Sequence, residues 1–142
     1  MFASGVEIAL LVAVLLGASA FGLWRRRTDG RVRATRASTA PAVTAHDIGR
    51  PLGERATLLQ FSSAFCAPCR TTRSVLGRVA DAVPGVAHVE VDAESHLDLV
   101  RRLDVARTPT TLVLDAAGRE VRRATGVPRN DEVLDVLSEA VA

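Results

Sequence analysis

The stretch Leu58-Leu59-Gln60-Phe61-Ser62-Ser63-Ala64-Phe65-Cys66-Ala67-Pro68-Cys69 governs how the rest of the chain is read. Residues 56–61 form a short apolar run of the kind that makes a buried strand. From about residue 66 to 83, Val75, Leu76, Val79 and Val83 recur at helical spacing, and Pro84-Gly85 ends the pattern. The two thiols therefore sit where a strand hands over to a helix. At positions i and i+3 of a first helical turn they are neighbours, close enough to form a small disulfide ring. The first of them faces N–H groups that have no intrahelical partner and the positive end of the helix dipole. Both favour a thiolate, the reactive species in disulfide exchange. The chemistry expected of this pair makes Cys66 the nucleophile and Cys69 the resolving thiol. A zinc site would need two more ligands, and His46, His88 and His96 have no ligand-like spacing. A purely structural disulfide across so short a ring would restrict the unfolded chain little.

Working outward, residues 86–92 alternate as a second strand, and Leu97, Leu99, Val100 and Leu103 mark a helix ending near Asp104. Residues 110–114, a turn at 115–118 and residues 119–125 make a hairpin. Val133, Leu134, Val136, Leu137 and Val141 then outline a closing amphipathic helix. The order βαβαββα predicts an α/β domain whose early strands pair parallel and whose late hairpin is antiparallel. The sheet is thus mixed, with helices on both faces.

With this order and this dithiol, residues 44–142 resemble the thioredoxin family. The segment from Leu58 to Cys69 is similar to that family's strand and Trp-Cys-Gly-Pro-Cys site, with Phe65 for Trp and Ala67 for Gly. Thr108-Pro109 is similar to its Ile-Pro, whose proline is cis, and Gly118 and Gly126 match glycines of its hairpin. The resemblance implies a thioredoxin-like fold and a protein-disulfide reductase. Cys66 and Cys69 would be catalytic, and Phe65, Pro68, Thr108 and Pro109 would meet an extended substrate. It also implies no cofactor held in the domain, disulfide-containing protein substrates, and recharging by a flavin-dependent reductase. Gln60 stands where the family typically carries a buried Asp that helps deprotonate the second cysteine, and Gln cannot act as a base. His88 falls where a Lys is frequent. Gln60, His88 and Ala67 are accordingly the candidate tuning positions, although Gln60 and His88 read equally well as satisfied polar side chains of a sheet.

The chain has 142 residues, 48% hydrophobic and 24% charged, enough for one domain of roughly 100 residues plus an appendage and too few for a second catalytic domain. The appendage is N-terminal. Residues 8–24 are seventeen positions without charge, a helix of about 25 Å, followed at once by Arg25, Arg26 and Arg27. Residues 1–27 therefore read as a transmembrane anchor with a basic collar, and residues 28–43 as a flexible linker. A cleaved signal peptide is the rival reading, since Ala18-Ser19-Ala20 has the small-x-small form; the missing basic residue before the apolar run argues against it. All 18 basic residues are Arg, and six of them (Arg25, Arg26, Arg27, Arg31, Arg33 and Arg36) follow the span. The positive-inside bias places the domain on the cytoplasmic face of the plasma membrane. Residues 44–142 carry 12 Arg against 14 acids, which excludes a nucleic-acid-binding surface.

The function expected from the residues and the resemblance together is a membrane-tethered thiol-disulfide oxidoreductase, monomeric and metal-free. Two alternatives are a thioredoxin-fold peptide-binding module with little redox turnover and an extracytoplasmic thioredoxin-like protein of cytochrome maturation.

Overall fold

Helix α1 (Ala3–Thr28) opens the computed structural model, which describes residues 3–34 and 41–140. Its 26 residues rise about 39 Å, more than a hydrocarbon core of about 30 Å. From Val6 to Trp24 its large apolar side chains are exposed, so no part of the domain covers them. The helix is long and apolar enough to cross a membrane. Arg25, Arg26 and Arg27 lie in its last turn, where cations offset the negative end of the dipole. The Thr28 hydroxyl donates back to the Trp24 carbonyl at 3.1 Å.

The segment whose sequence reads as linker starts with structure of its own. Arg33–Ala34 forms strand β1, antiparallel to the last strand of the sheet, with Arg33 opposite Arg123 and Ala34 opposite Arg122. A two-residue strand is too short to leave a period, and its pairing is made by backbone groups that every residue carries. Residues 35–40 of the expected linker, Arg36 among them, lie outside the described residues. A second unanticipated element is the single turn α2 (Ala45–Ile48). It is closed by a capping box in which the Thr44 amide donates to Asp47 Oδ2 at 2.7 Å and the Asp47 amide to Thr44 Oγ1 at 3.3 Å.

From there the observed order matches the expected one: β2 (Ala56–Ser62), α3 (Ala67–Ala82), β3 (Val86–Asp92), α4 (Leu97–Arg102), β4 (Thr110–Asp115), β5 (Glu120–Thr125) and α5 (Asn130–Ala140). The strands lie in the order β1-β5-β4-β2-β3. Only β2 and β3 run parallel; β4 is antiparallel to β2 and to β5. Strand β2 is central and buried along its whole length. Its alternation sends Leu59 and Phe61 to one face, where they pack with Val89, Val91, Leu112, Ile48 and Leu99 under α2 and α4. Ala56 and Leu58 go to the other, against Leu76 and Val79 of α3 and Val133 and Leu137 of α5. Helices thus cover both faces, and each fully buried Leu or Phe contributes about 1.5–3 kcal/mol. The hairpin turn needs Gly118: at φ 79° an added Cβ would strike the Val43 carbonyl, whose own amide donates to Gly118 O at 2.8 Å.

Asp47 also pairs with Arg102 at 2.9 Å, and that hydrogen bond, with those from Thr44, outweighs burial and lowers its pKa from 3.8 to about 2. The contribution is therefore complete above pH 3.8 and fades as the pH falls through about 2. We expect Asp47→Asn to cost about 0.5–1 kcal/mol at pH 7 and the gap from the native chain to close below pH 4, read from urea midpoints across pH.

Candidate redox site

The site is built where β2 ends and α3 begins. Residues 63–66 turn the chain, and Cys66 is the N-cap of α3 in extended conformation. Pro68 lies in the first turn, where a missing N–H costs nothing. The sulfur of Cys66 accepts the Cys69 amide at 3.2 Å, a first-turn donor it shares with the Cys66 carbonyl at 3.2 Å. Cys66 and Cys69 are joined as a disulfide with Cα atoms 5.2 Å apart. Cys66 is half-buried and Cys69 is buried, which leaves the first sulfur as the one an approaching group can meet. A shallow cleft of about 380 Å³ opens there, lined by Phe65, Cys66, Ala67, Cys69, Arg70 and Arg73 among others. Phe65 is fully exposed at its edge.

Thr108 reaches this cleft only through Ser63, one of its lining residues; Thr108 itself is half-buried and Pro109 buried, both outside the lining. Their peptide bond is cis, and the Thr108 hydroxyl lies 3.0 Å from that of Ser63, tying the loop before β4 to the turn that carries Cys66. The Pro109 carbonyl is taken by the Gly126 amide at 2.8 Å. Pro68 is exposed on the first turn of α3, outside the lining of the cleft.

Beneath the dithiol the side chain of Gln60 is wholly buried. Its Nε2 donates to the Cys69 carbonyl and to Ser62 Oγ, each at 2.9 Å. Those acceptors fix the amide's orientation and turn Oε1 toward His88, whose Nε2 lies at 3.0 Å. A carbonyl oxygen only accepts, so the His88 proton is on Nε2. Burial pushes the His88 pKa below 6.5, with Arg73 adding to the effect and Glu90 opposing it, so the ring is neutral at pH 7. Glu90, two residues along the same strand face, is held by Arg73, whose second guanidinium nitrogen donates to it at 2.9 Å. Burial would raise the Glu90 pKa, yet the bonds from Arg73 and Ser62 outweigh it and hold the carboxyl below its ordinary value. Sequence reasoning reached Gln60 and His88 but missed Ser62, Ser63, Arg73 and Glu90. The signal for two of these is present: Glu90 is the strand-register partner of Gln60, and Arg73 stands one helical turn after Cys69.

Residues 46–139 match the thioredoxin family model. The chain belongs to the thioredoxin family. It is 30% identical over 82 residues to a thioredoxin of Chlamydia trachomatis serovar D, covering 58% of this chain and 79% of that protein. It is 31% identical over 81 residues to a thioredoxin H-type of Fagopyrum esculentum, covering 57% and 68%. In structure it is similar to the thioredoxin NaTrxh from Nicotiana alata, with a TM-score of 0.56, 24% identity and 63% and 76% of the two chains covered. It is likewise similar to a mutant thioredoxin from Halobacterium salinarum, with a TM-score of 0.57, 19% identity and coverage of 63% and 77%. These structural likenesses carry the fold. Family membership and the Cys66–Cys69 pair together support a thioredoxin-family disulfide oxidoreductase.

Because the folded chain binds a proton at His88 less readily than the unfolded one, its stability is complete above pH 6.5 and declines as the pH falls below that value. We expect a His88→Asn variant to have a flatter urea midpoint between pH 6.5 and about 5 than the native chain, before carboxylates begin to titrate.

Proposed function

We propose that this chain is a membrane-tethered thiol-disulfide oxidoreductase that reduces protein disulfides through Cys66 and Cys69. The observation that carries the reading is the Cys66 sulfur at the start of α3, accepting the Cys69 amide beside an exposed Phe65. In the reduced chain the same amides favour negative charge on that sulfur. The Cys66 thiolate attacks one sulfur of a target disulfide, and the other target sulfur leaves and takes up a proton. Cys69 then attacks Cys66 within the mixed disulfide, releasing the second target thiol and closing the Cys66–Cys69 bond. Phe65 and the backbone at Thr108 offer the surface on which an extended target segment rests.

Residues 1–27 are the anchor and residues 44–142 the redox domain, facing the cytoplasm of the plasma membrane as the arginine collar directs. At the reducing poise of that compartment the dithiol is the resting form, as it is in thioredoxin itself at about −270 mV, and reduction of targets follows. The electron donor in this reading is a flavin-dependent reductase.

Insulin reduction by dithiothreitol tests the reading. The native chain in detergent is expected to accelerate it and Cys66→Ser to abolish the acceleration, with Cys69→Ser accumulating a mixed disulfide. Equal rates for the native chain and Cys66→Ser would replace the enzyme with the peptide-binding module. For the orientation, protease added outside intact cells is expected to leave the domain whole, and its digestion would move the site to the outer face.

A further inference from the structure

The membrane-spanning helix ends at the same edge of the domain as the dithiol. Strand β5 finishes at Thr125, which pairs with Thr110, the first residue of β4, and Thr110 in turn pairs with Phe61 near the end of β2. That end of the sheet leads into the Cys66 turn. It is also where the chain arrives from α1: the Gly30 amide donates to the Thr125 carbonyl at 2.6 Å. Gly30 is buried at φ 79°, with the Val127 carbonyl so near that a Cβ would collide with it. One residue earlier, the Asp29 carboxylate meets the Arg107 guanidinium at 2.6 Å. The Val32 amide reaches Glu132 Oε2 at 3.1 Å, and β1 then completes the attachment along β5.

These contacts form a short path from membrane to sulfur. Asp29 holds Arg107, Arg107 adjoins Thr108, the Thr108 hydroxyl lies 3.0 Å from Ser63, and the Ser63 carbonyl accepts the Cys66 amide at 3.3 Å. From β5 across β4 to β2 is two strand spacings, about 10 Å, so the dithiol stands within roughly 20 Å of the last turn of α1. A free linker of the same length would let the site roam; this attachment keeps it at the level of the headgroups. The fully exposed Phe65 lies at the same edge, an aromatic side chain suited to the membrane–water interface.

We propose that the dithiol serves a disulfide carried by a second membrane-embedded protein, close to the surface from which α1 emerges, and that docking of residues 29–34 on the domain sets this reach. The proposal rests on the tethered oxidoreductase reading above and names its substrate class. The exchange balances within the pair: the partner's S–S bond breaks and gains two electrons and two protons, while the Cys66 and Cys69 thiols lose them and form their own S–S bond.

Single-turnover reduction in vesicles tests it. The full chain is reduced with dithiothreitol, freed of it, and reconstituted in phosphatidylcholine–phosphatidylglycerol vesicles. Its partner is a transmembrane peptide carrying a disulfide ring on a rigid helical spacer of about 10 Å or about 60 Å. The native chain is expected to reduce the near ring at least about tenfold faster than the far one. A Gly-Ser insert of about 40 residues between Thr28 and Asp29 leaves the docked segment and the site intact but frees them from the helix. That chain is expected to reduce both rings at rates within about twofold of each other. Equal rates for the two rings with the native chain, or a preference for the far ring, would overturn the proposal while leaving the oxidoreductase standing. Failure of both chains to reduce soluble insulin would instead remove the oxidoreductase reading, and the proposal with it.

Discussion

A helix that starts five residues after a central strand ends must leave its first amides without helical partners, and the placement of the two sulfurs follows from that constraint. Strand β2 cannot shift, because it is hydrogen-bonded to β3 on one side and β4 on the other and is buried throughout. Helix α3 cannot roll, because Leu76 and Val79 are sunk against Leu58 and Val113. The turn between them is held from outside by the Ser63–Thr108 contact and from beneath by Gln60 on the Cys69 carbonyl. The sulfur therefore meets donors that were oriented when the domain folded, and no reorganisation is needed when charge develops on it.

Much of this is legible because it is periodic or covalently local. The apolar run of β2, the helical spacing of Val75, Leu76 and Val79, and the Cys-x-x-Cys spacing are patterns within a few residues of one another, and the observed elements agree with them within one or two positions. What escapes is what pairs at a distance. Strand β1 is made by backbone bonds between residues ninety positions apart in sequence, as Arg33 opposite Arg123. The Asp29–Arg107 and Arg73–Glu90 pairs join charges that, read singly, look like ordinary solvated surface. The turn α2 is four residues long, too short for a helical period, although Thr44 followed three residues later by Asp47 announces its capping box.

The attachment of α1 changes what a tether means here. Sixteen flexible residues would make the anchor a device for local concentration only. With Gly30 buried and Asp29 engaged, the orientation of the domain is coupled to that of the helix, and in the proposed tethered arrangement the lipid surface is one wall of the space in which a substrate presents its sulfur. Specificity then comes partly from geometry and not solely from contacts at the cleft. The arginines that would set topology in the proposed arrangement, Arg25 to Arg27, and the residues that fix the domain, Asp29 and Gly30, occupy one continuous stretch, which would tie insertion to orientation of the site.

Gln60 completes the argument about chemistry. In this chain a carboxylate at position 60 would lie beside the half-buried Glu90, whose oxygen is 3.5 Å from Gln60 Nε2, and two carboxylates that close resist ionising together. The negative charge has gone to Glu90, where Arg73 holds it, and the neutral amide at position 60 is free to bridge strand and helix. The cost is that no base bonds the Cys69 sulfur among the described residues: Gln60 cannot take a proton, and the Nε2 of neutral His88 already donates its own to Gln60. In the proposed reaction, resolution of a mixed disulfide would then draw on the closeness of the two sulfurs and on water, with no protein base at Cys69 to relay the proton. In the proposed reaction the neutral amide that stiffens the floor of the site is expected to slow the second step, leaving a mixed disulfide longer-lived than it would be above a carboxylate.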